Sequence, residues 1–204
     1  MTARATPYPP AGFDIRIPQP LWSAALDEVR GYAGLSGPRG RPGSEGLVYL
    51  GGVPAADAVV VTSLFRLHHE PQGDCVKPTP DEVRWLLSEL RRRDEKLVAQ
   101  LHTHRHDARH SPGDDQMAAS FHDGFLSIVV PRFAIGVERI DQCVVHEYRG
   151  GLFRPLPPAE MTARFTIHPE IVDRPCQQRE PDHWDRFARK LRQIARARPW
   201  RPKA

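Results

Sequence analysis

The sequence predicts an α/β fold: a mixed β-sheet flanked by helices, followed by a basic C-terminal extension. Three features of the chain carry that expectation. Apolar runs of strand length, rich in β-branched residues, alternate with segments whose apolar residues recur at helical spacing. A Gly150-Gly151 pair inside CVVHEYRGGLFRPL marks a tight hairpin, so antiparallel neighbours are expected beside crossover connections. Hydrophobic residues make up 40% of the 204 and charged residues 26%, which supplies a core and argues against a wholly disordered chain.

Taken in order, residues 1–17 form an N-terminal segment. PQPLWSAALDEVRGYA (18–33) reads as a helix, with Leu21, Ala25, Val29 and Tyr32 on one face; Gly34 and the Gly/Pro-rich run after it end it. EGLVYLGG (45–52) and AADAVVVTSLFRL (55–67) read as strands. Thr79-Pro80-Asp81-Glu82 carries a capping box, with proline at the first helical position. Val83, Leu86, Leu87 and Leu90 then give an apolar face, and Arg91–Arg93 suit the helix C-terminus. LVAQLHTH (97–104) reads as a strand, SPGDDQMAASFHDG (111–124) as a short helix and FLSIVVP (125–131) as a buried strand. The main domain is expected to span 18–156, with a proline-rich and basic extension over 157–204 that contains a helix at 184–197.

Composition narrows the function classes. The pI of 9.2 comes from the tail: residues 186–204 hold eight Lys or Arg and no acid, which leaves the rest of the chain net acidic. The tail is expected to dock Trp184, Phe187 and Leu191 on the body and leave its arginines in water, so neither nucleic acid nor a membrane is an expected partner. No apolar run reaches the ~18 residues that span a bilayer. The N-terminus lacks the apolar stretch of a secretory signal. Cys75, Cys143 and Cys176 form neither a CxxC pair nor an even framework, so a cytoplasmic location is expected.

Chemistry concentrates in one stretch. Residues two apart on a strand face the same side, so His102 and His104 can present two imidazoles to one point. Imidazole is a common nitrogen ligand for zinc. A third ligand is available in Asp114, in the first turn of the helix that opens at Ser111. Two histidines and one carboxylate leave a fourth position for water, and zinc lowers the pKa of such water from ~15.7 toward roughly 7. Hydrolysis also needs a base; Glu45, at the mouth of an early strand, can serve, with Glu70 as the loop-borne alternative. His106 and His110 read as solvent-exposed loop histidines.

With its glutamate at an early strand, then His102-Thr103-His104, then Ser111-Pro112-Gly113-Asp114, the sequence resembles the JAB1/MPN/Mov34 metalloproteases, the JAMM family, and within it the prokaryotic JAB branch. The resemblance covers about residues 18–156. It implies an MPN/JAB-like (cytidine-deaminase-like) fold, with one Zn²⁺ per chain held by His102, His104 and Asp114. It implies Glu45 as general base and Ser111 as donor to the developing oxyanion. The implied substrate is a peptide or isopeptide bond at the C-terminal tail of a ubiquitin-like protein. Implied partners are such proteins or their conjugates and, in bacterial conjugation or antiphage defence systems, E1/E2-like enzymes. Two departures stand out: six residues, where the family commonly has seven, separate His104 from Ser111, and Arg105 replaces a frequent proline. The shorter loop could pass the ligand role to Asp115, although S-x-x-D spacing selects Asp114.

Two other readings compete. HTHRHD partly matches the H-x-H-x-D-H motif of metallo-β-lactamases, with His106 and Asp107 in reversed order. A non-catalytic MPN scaffold with a basic binding tail is the third, although scaffold members typically lack the ligands that this chain keeps.

Overall fold

The computed structural model describes residues 12–34, 43–67, 77–169 and 177–178. The elements run β1 (Asp14–Pro18), α1 (Gln19–Gly31), β2 (Leu47–Pro54), β3 (Ala58–Arg66), α2 (Pro80–Arg92), β4 (Lys96–Thr103), α3 (Pro112–Met117), β5 (Leu126–Val130), β6 (Val144–Arg149), β7 (Leu152–Pro155), α4 (Pro158–Arg164), β8 (Phe165–His168) and β9 (Gln177–Gln178). The strands form one mixed sheet in the order β7-β6-β5-β4-β2-β3-β1-β8, with β9 beside β3. The β2–β3, β2–β4, β5–β6 and β6–β7 pairs are antiparallel, whereas β4–β5, β1–β3 and β1–β8 are parallel.

Strand alternation sorts the apolar side chains into two cores. On one face, Leu21, Trp22, Ala25, Leu26 and Val29 of α1 pack against Val48, Leu50, Val61, Leu101, Ile128 and Val145. On the other, Leu86 and Leu90 of α2 meet Leu47, Tyr49, Phe65, Leu97 and Phe125. The capping box of α2 forms as the sequence predicts: Glu82 N–H donates to Thr79 Oγ1, and Thr79 N–H donates to Glu82 Oε2 at 2.7 Å. The hairpin turns at Gly150 and Gly151, both at positive φ (58° and 91°), which glycine adopts without steric cost.

Four differences from the sequence expectation are physical in origin. The sheet takes in β1 and β8, beyond the 18–156 span. They pair with each other, and β1 also pairs with β3, through contacts distant in sequence. Helix α3 ends at Met117 rather than 124, because Ala118 turns to extended backbone and buries itself in the second core. Leu87 is 47% exposed, while Glu82 takes an inward position through its cap. The His110 side chain, expected in solvent, is only 6% exposed. The helix expected at 184–197, together with Glu70, Cys75 and Cys176, lies outside the described residues.

No helix among the described residues is long and apolar enough to cross a membrane. Cys143 is a buried free thiol whose pKa burial pushes up to about 12, so it is not a reactive group.

Candidate metal centre

The site forms where β4 leaves the sheet. His102 is the penultimate residue of that strand and pairs with Leu47 of β2 on one side and Val129 of β5 on the other. His104 follows the last strand residue, yet its backbone is held at both ends. Its N–H donates to the Val130 carbonyl at 2.9 Å, and its carbonyl accepts from Phe133 N–H at 2.9 Å. Arg132, Phe133 and Ala134 adopt three consecutive left-handed conformations (φ 52°, 53° and 62°), an arrangement that costs about 1–2 kcal/mol per non-glycine residue. The turn is braced by α1: Arg30 donates to the carbonyls of Ala134 and Val137, and Trp22 Nε1–H donates to the Glu138 carbonyl at 2.7 Å. Backbone strain of this kind is commonly found beside functional groups that must be held in one place.

The third candidate ligand comes from α3 by a local device. Ser111 is the N-cap: Asp114 N–H donates to Ser111 Oγ at 3.2 Å, and Ser111 N–H donates to Asp114 Oδ2 at 2.6 Å. The carboxylate that reaches toward the histidines is thus pinned by its own capping box. Asp114 Oδ2 stands 3.3 Å from His104 Nε2, and Oδ1 stands 3.6 Å from His102 Nε2. The two imidazole rings lie 5.1 Å apart at 57°. One donor atom from each of His102, His104 and Asp114 lies within 4.8 Å of the other two, a spread that a single cation can bridge.

The donor set fits a metal ion on a further count. Both ring nitrogens of His102 are buried and make no hydrogen bond, a costly state for polar groups unless something occupies the space before them. Burial lowers the pKa of His102 and so keeps it neutral, as a ligand must be. Burial acts the same way on His104, but the hydrogen bond and charge of Asp114, reinforced by Glu45 and Asp107, outweigh it and raise its pKa. Burial works against the charge of Asp114, yet the two histidines and the Ser111 backbone overcome it and hold the carboxyl far below the usual range.

Glu45 lies just before β2 and is 9% exposed. The segment carrying it is fixed from both sides. Gly46 N–H donates to Thr103 Oγ1 at 2.8 Å, and Thr103 N–H donates to the Gly46 carbonyl at 3.0 Å. Opposite, Gly46 packs so closely on α1 that a Cβ would lie 2.7 Å from the Val29 backbone. The charge of Glu45 helps raise the pKa of His104. Ser111 sits at the exposed rim. Asp107 pairs with Arg109 at 2.8 Å and His106 is exposed, so neither joins the three candidate ligands. Asp115 turns instead to His110, with Oδ1 3.1 Å from Nδ1.

Sequence reasoning missed His146 and the buried state of His110. Their rings stack at 4.5 Å, and His110 meets His102 edge-on at 6.0 Å. Burial, with the neighbouring His110 and His102, lowers the pKa of His146 to about 4, so it is neutral at physiological pH. The alternation of β6, which sends Val145 to one core and His146 to the other face, is the signal that could have found it.

Comparison with known proteins bears on the fold and the family. No protein-family model matches the chain. The solution structure of protein DSY2949 from Desulfitobacterium hafniense superposes with a TM-score of 0.57 at 14% identity, covering 77% of this chain and 94% of that one, which shows a shared fold. A protein of Sinorhizobium fredii (strain NBRC 101917 / NGR234) named "Probable metalloprotease y4jG" is 33% identical over 135 residues, 63% of this chain and 82% of the relative. With a His-His-Asp group able to hold a metal and a relative aligned over most of its length, the chain belongs to the metalloprotease family that includes y4jG.

Proposed function

We propose that the chain is a zinc-dependent peptidase of the JAMM type, which hydrolyses the peptide or isopeptide bond after the C-terminal tail of a ubiquitin-like protein. The observation that carries the proposal is the convergence of His102, His104 and Asp114, with a buried Glu45 whose charge acts on His104. The chain order Glu45, then His102-Thr103-His104, then Ser111 and Asp114, supports the JAMM type. Two imidazoles and one carboxylate favour zinc over the harder cations, which prefer all-oxygen sites.

A zinc ion held by these three residues would supply Lewis-acid polarisation and a water of lowered pKa. The remaining work belongs to the chain. Glu45 accepts a proton from the attacking water and returns it to the leaving amine nitrogen. Ser111 Oγ is already an acceptor for Asp114 N–H, so its own O–H is available to donate to the oxyanion that develops at the scissile carbonyl. Burial of Glu45 and His102 limits water around the reacting atoms and strengthens these interactions. A flexible tail would enter extended, in the manner of an added strand. The ubiquitin-like partner, its E1/E2-like enzymes and a role in bacterial conjugation or defence rest on the resemblance alone.

The test is cleavage of ubiquitin-like proteins carrying C-terminal fusions by the zinc-loaded chain. Wild type is expected to cut after the tail, and Glu45→Ala to retain zinc but lose about 10²–10⁴-fold in rate. Equal rates in the two, or cutting only at sites unrelated to the tail, would count against the JAMM reading.

A further inference from the structure

The capping box fixes the Asp114 carboxylate relative to α3, but not α3 relative to the sheet. Helix α3 is only six residues long, too short to hold its own position. One side chain bridges that gap. Within a loop whose neighbouring His106, Asp107 and Arg109 are exposed, the His110 side chain is 6% exposed. Its Nε2 lies 3.1 Å from Ser127 Oγ on β5, and its Nδ1 lies 3.1 Å from Asp115 Oδ1 on α3. Gln100 Nε2 donates to the same Ser127 Oγ at 3.1 Å, which leaves the Ser127 O–H to donate to His110 Nε2. That network assigns the ring proton to Nδ1, the nitrogen in close contact with Asp115 Oδ1, which has no other polar partner among the described residues and no aligned hydrogen bond.

The ring faces are filled as well. His146 and Phe153 stack on His110 at 4.5 and 5.0 Å, and the ring meets His102 edge-on at 6.0 Å. His110 therefore touches the strand residue that supplies one ligand, and it grips the neighbour of the helix residue that supplies another.

We propose that His110 is a positioning residue of the metal centre: it fastens α3 to the sheet, through Asp115 on one side and Ser127 on the other, and so sets where Asp114 stands relative to His102. This rests on reading His102, His104 and Asp114 as metal ligands. Partners of this kind typically change metal affinity by 10- to 100-fold when removed.

The test is zinc affinity, measured on the full chain by competition with a chromophoric chelator. His110→Ala and Asp115→Ala should each weaken zinc binding by roughly tenfold or more. The double variant should be no weaker than the worse single variant, because both remove one link. His110→Asn, whose amide keeps a donor toward Asp115 but cannot reach Ser127, should recover only a minor part of the loss. Asp115 is 48% exposed, so its substitution tests the link without opening the core. Wild-type affinity in Asp115→Ala would overturn the proposal, since His110 would then act as a ligand or as filler. A wild type that binds zinc no better than His102→Ala would overturn the metal-centre reading, and this proposal with it.

Discussion

Thr103, the middle residue of His102-Thr103-His104, accepts through its Oγ1 the N–H of Gly46, the residue next to Glu45, at 2.8 Å. One hydroxyl thus ties the strand exit bearing two candidate ligands to the segment bearing the candidate base. Thr103 is fully buried. Thr103→Val keeps the shape but leaves the Gly46 N–H without its acceptor, and should destabilise the fold by about 1–3 kcal/mol. Thr103→Ser should retain both stability and activity. Denaturant unfolding and cleavage rates of the two variants check this; equal losses in both would contradict it.

Gly46 is required for a reason that involves neither a turn nor positive φ. A Cβ there would lie 2.7 Å from Val29 Cα and carbonyl oxygen, and backbone cannot yield as a flexible side-chain tip can. Gly46→Ala should push the start of β2 away from α1, cost roughly 1–3 kcal/mol and displace Glu45. The expected result is a lowered Tm, with kcat falling further than the small loss of folded protein explains and zinc affinity changing less than kcat.

Proton competition for the centre should occur in two steps. A histidine must lose its proton to ligate, so the pKa values of the metal-free chain govern the competition. The pKa of His104 lies above 6.5, and that of His102 lies below it. Zinc affinity should therefore begin to fall, by about tenfold per pH unit, above pH 6.5 as His104 takes a proton, and should steepen only below 6.5 as His102 follows. Asp114, its pKa lowered far below 3.8, stays ionised throughout. Chelator competition from pH 5 to 8 reads both breaks, and one two-proton break at 6.5 would contradict the assignment.

A buried ion-pair group makes a separate prediction. Glu147, with no exposed surface, lies on the face of β6 opposite His146. It accepts from the two terminal guanidinium nitrogens of Arg164 at 3.0 and 3.2 Å, from Arg149, and from Gly12 N–H at 3.0 Å. It joins the N-terminal chain and α4 to the sheet. Glu147→Gln leaves Arg164 buried with a weakened counter-charge and should cost roughly 3 kcal/mol, while zinc affinity stays within twofold of wild type. Calorimetry and zinc titration separate the two effects.

Much of the fold was legible because its signals are local. The α2 capping box, the β6–β7 hairpin and the strands of β2, β3 and β5 declare themselves in a few adjacent residues. Strand β1 does not: only Ile15 and Ile17 alternate in Asp14–Pro18, and its place is set by β3 and β8, far along the chain. The candidate ligand group was readable from spacing, since a strand repeat and a helix cap bring His102, His104 and Asp114 together. The supports of the site were not. His110 sits among exposed residues, and its burial is decided by Ser127, His146 and Phe153 on other strands. The left-handed turn at 132–134 contains no glycine to announce it and exists because His104, α1 and β5 together impose it.

The central claim is that two imidazoles and one carboxylate share a single metal ion. Its most direct test is the zinc content of the purified full chain, measured after dialysis, for wild type and for His102→Ala, His104→Ala and Asp114→Ala. The account predicts one zinc per wild-type chain and far less than one in each variant, with all three still folded. A wild type without bound metal, or variants that hold as much as wild type, would contradict it.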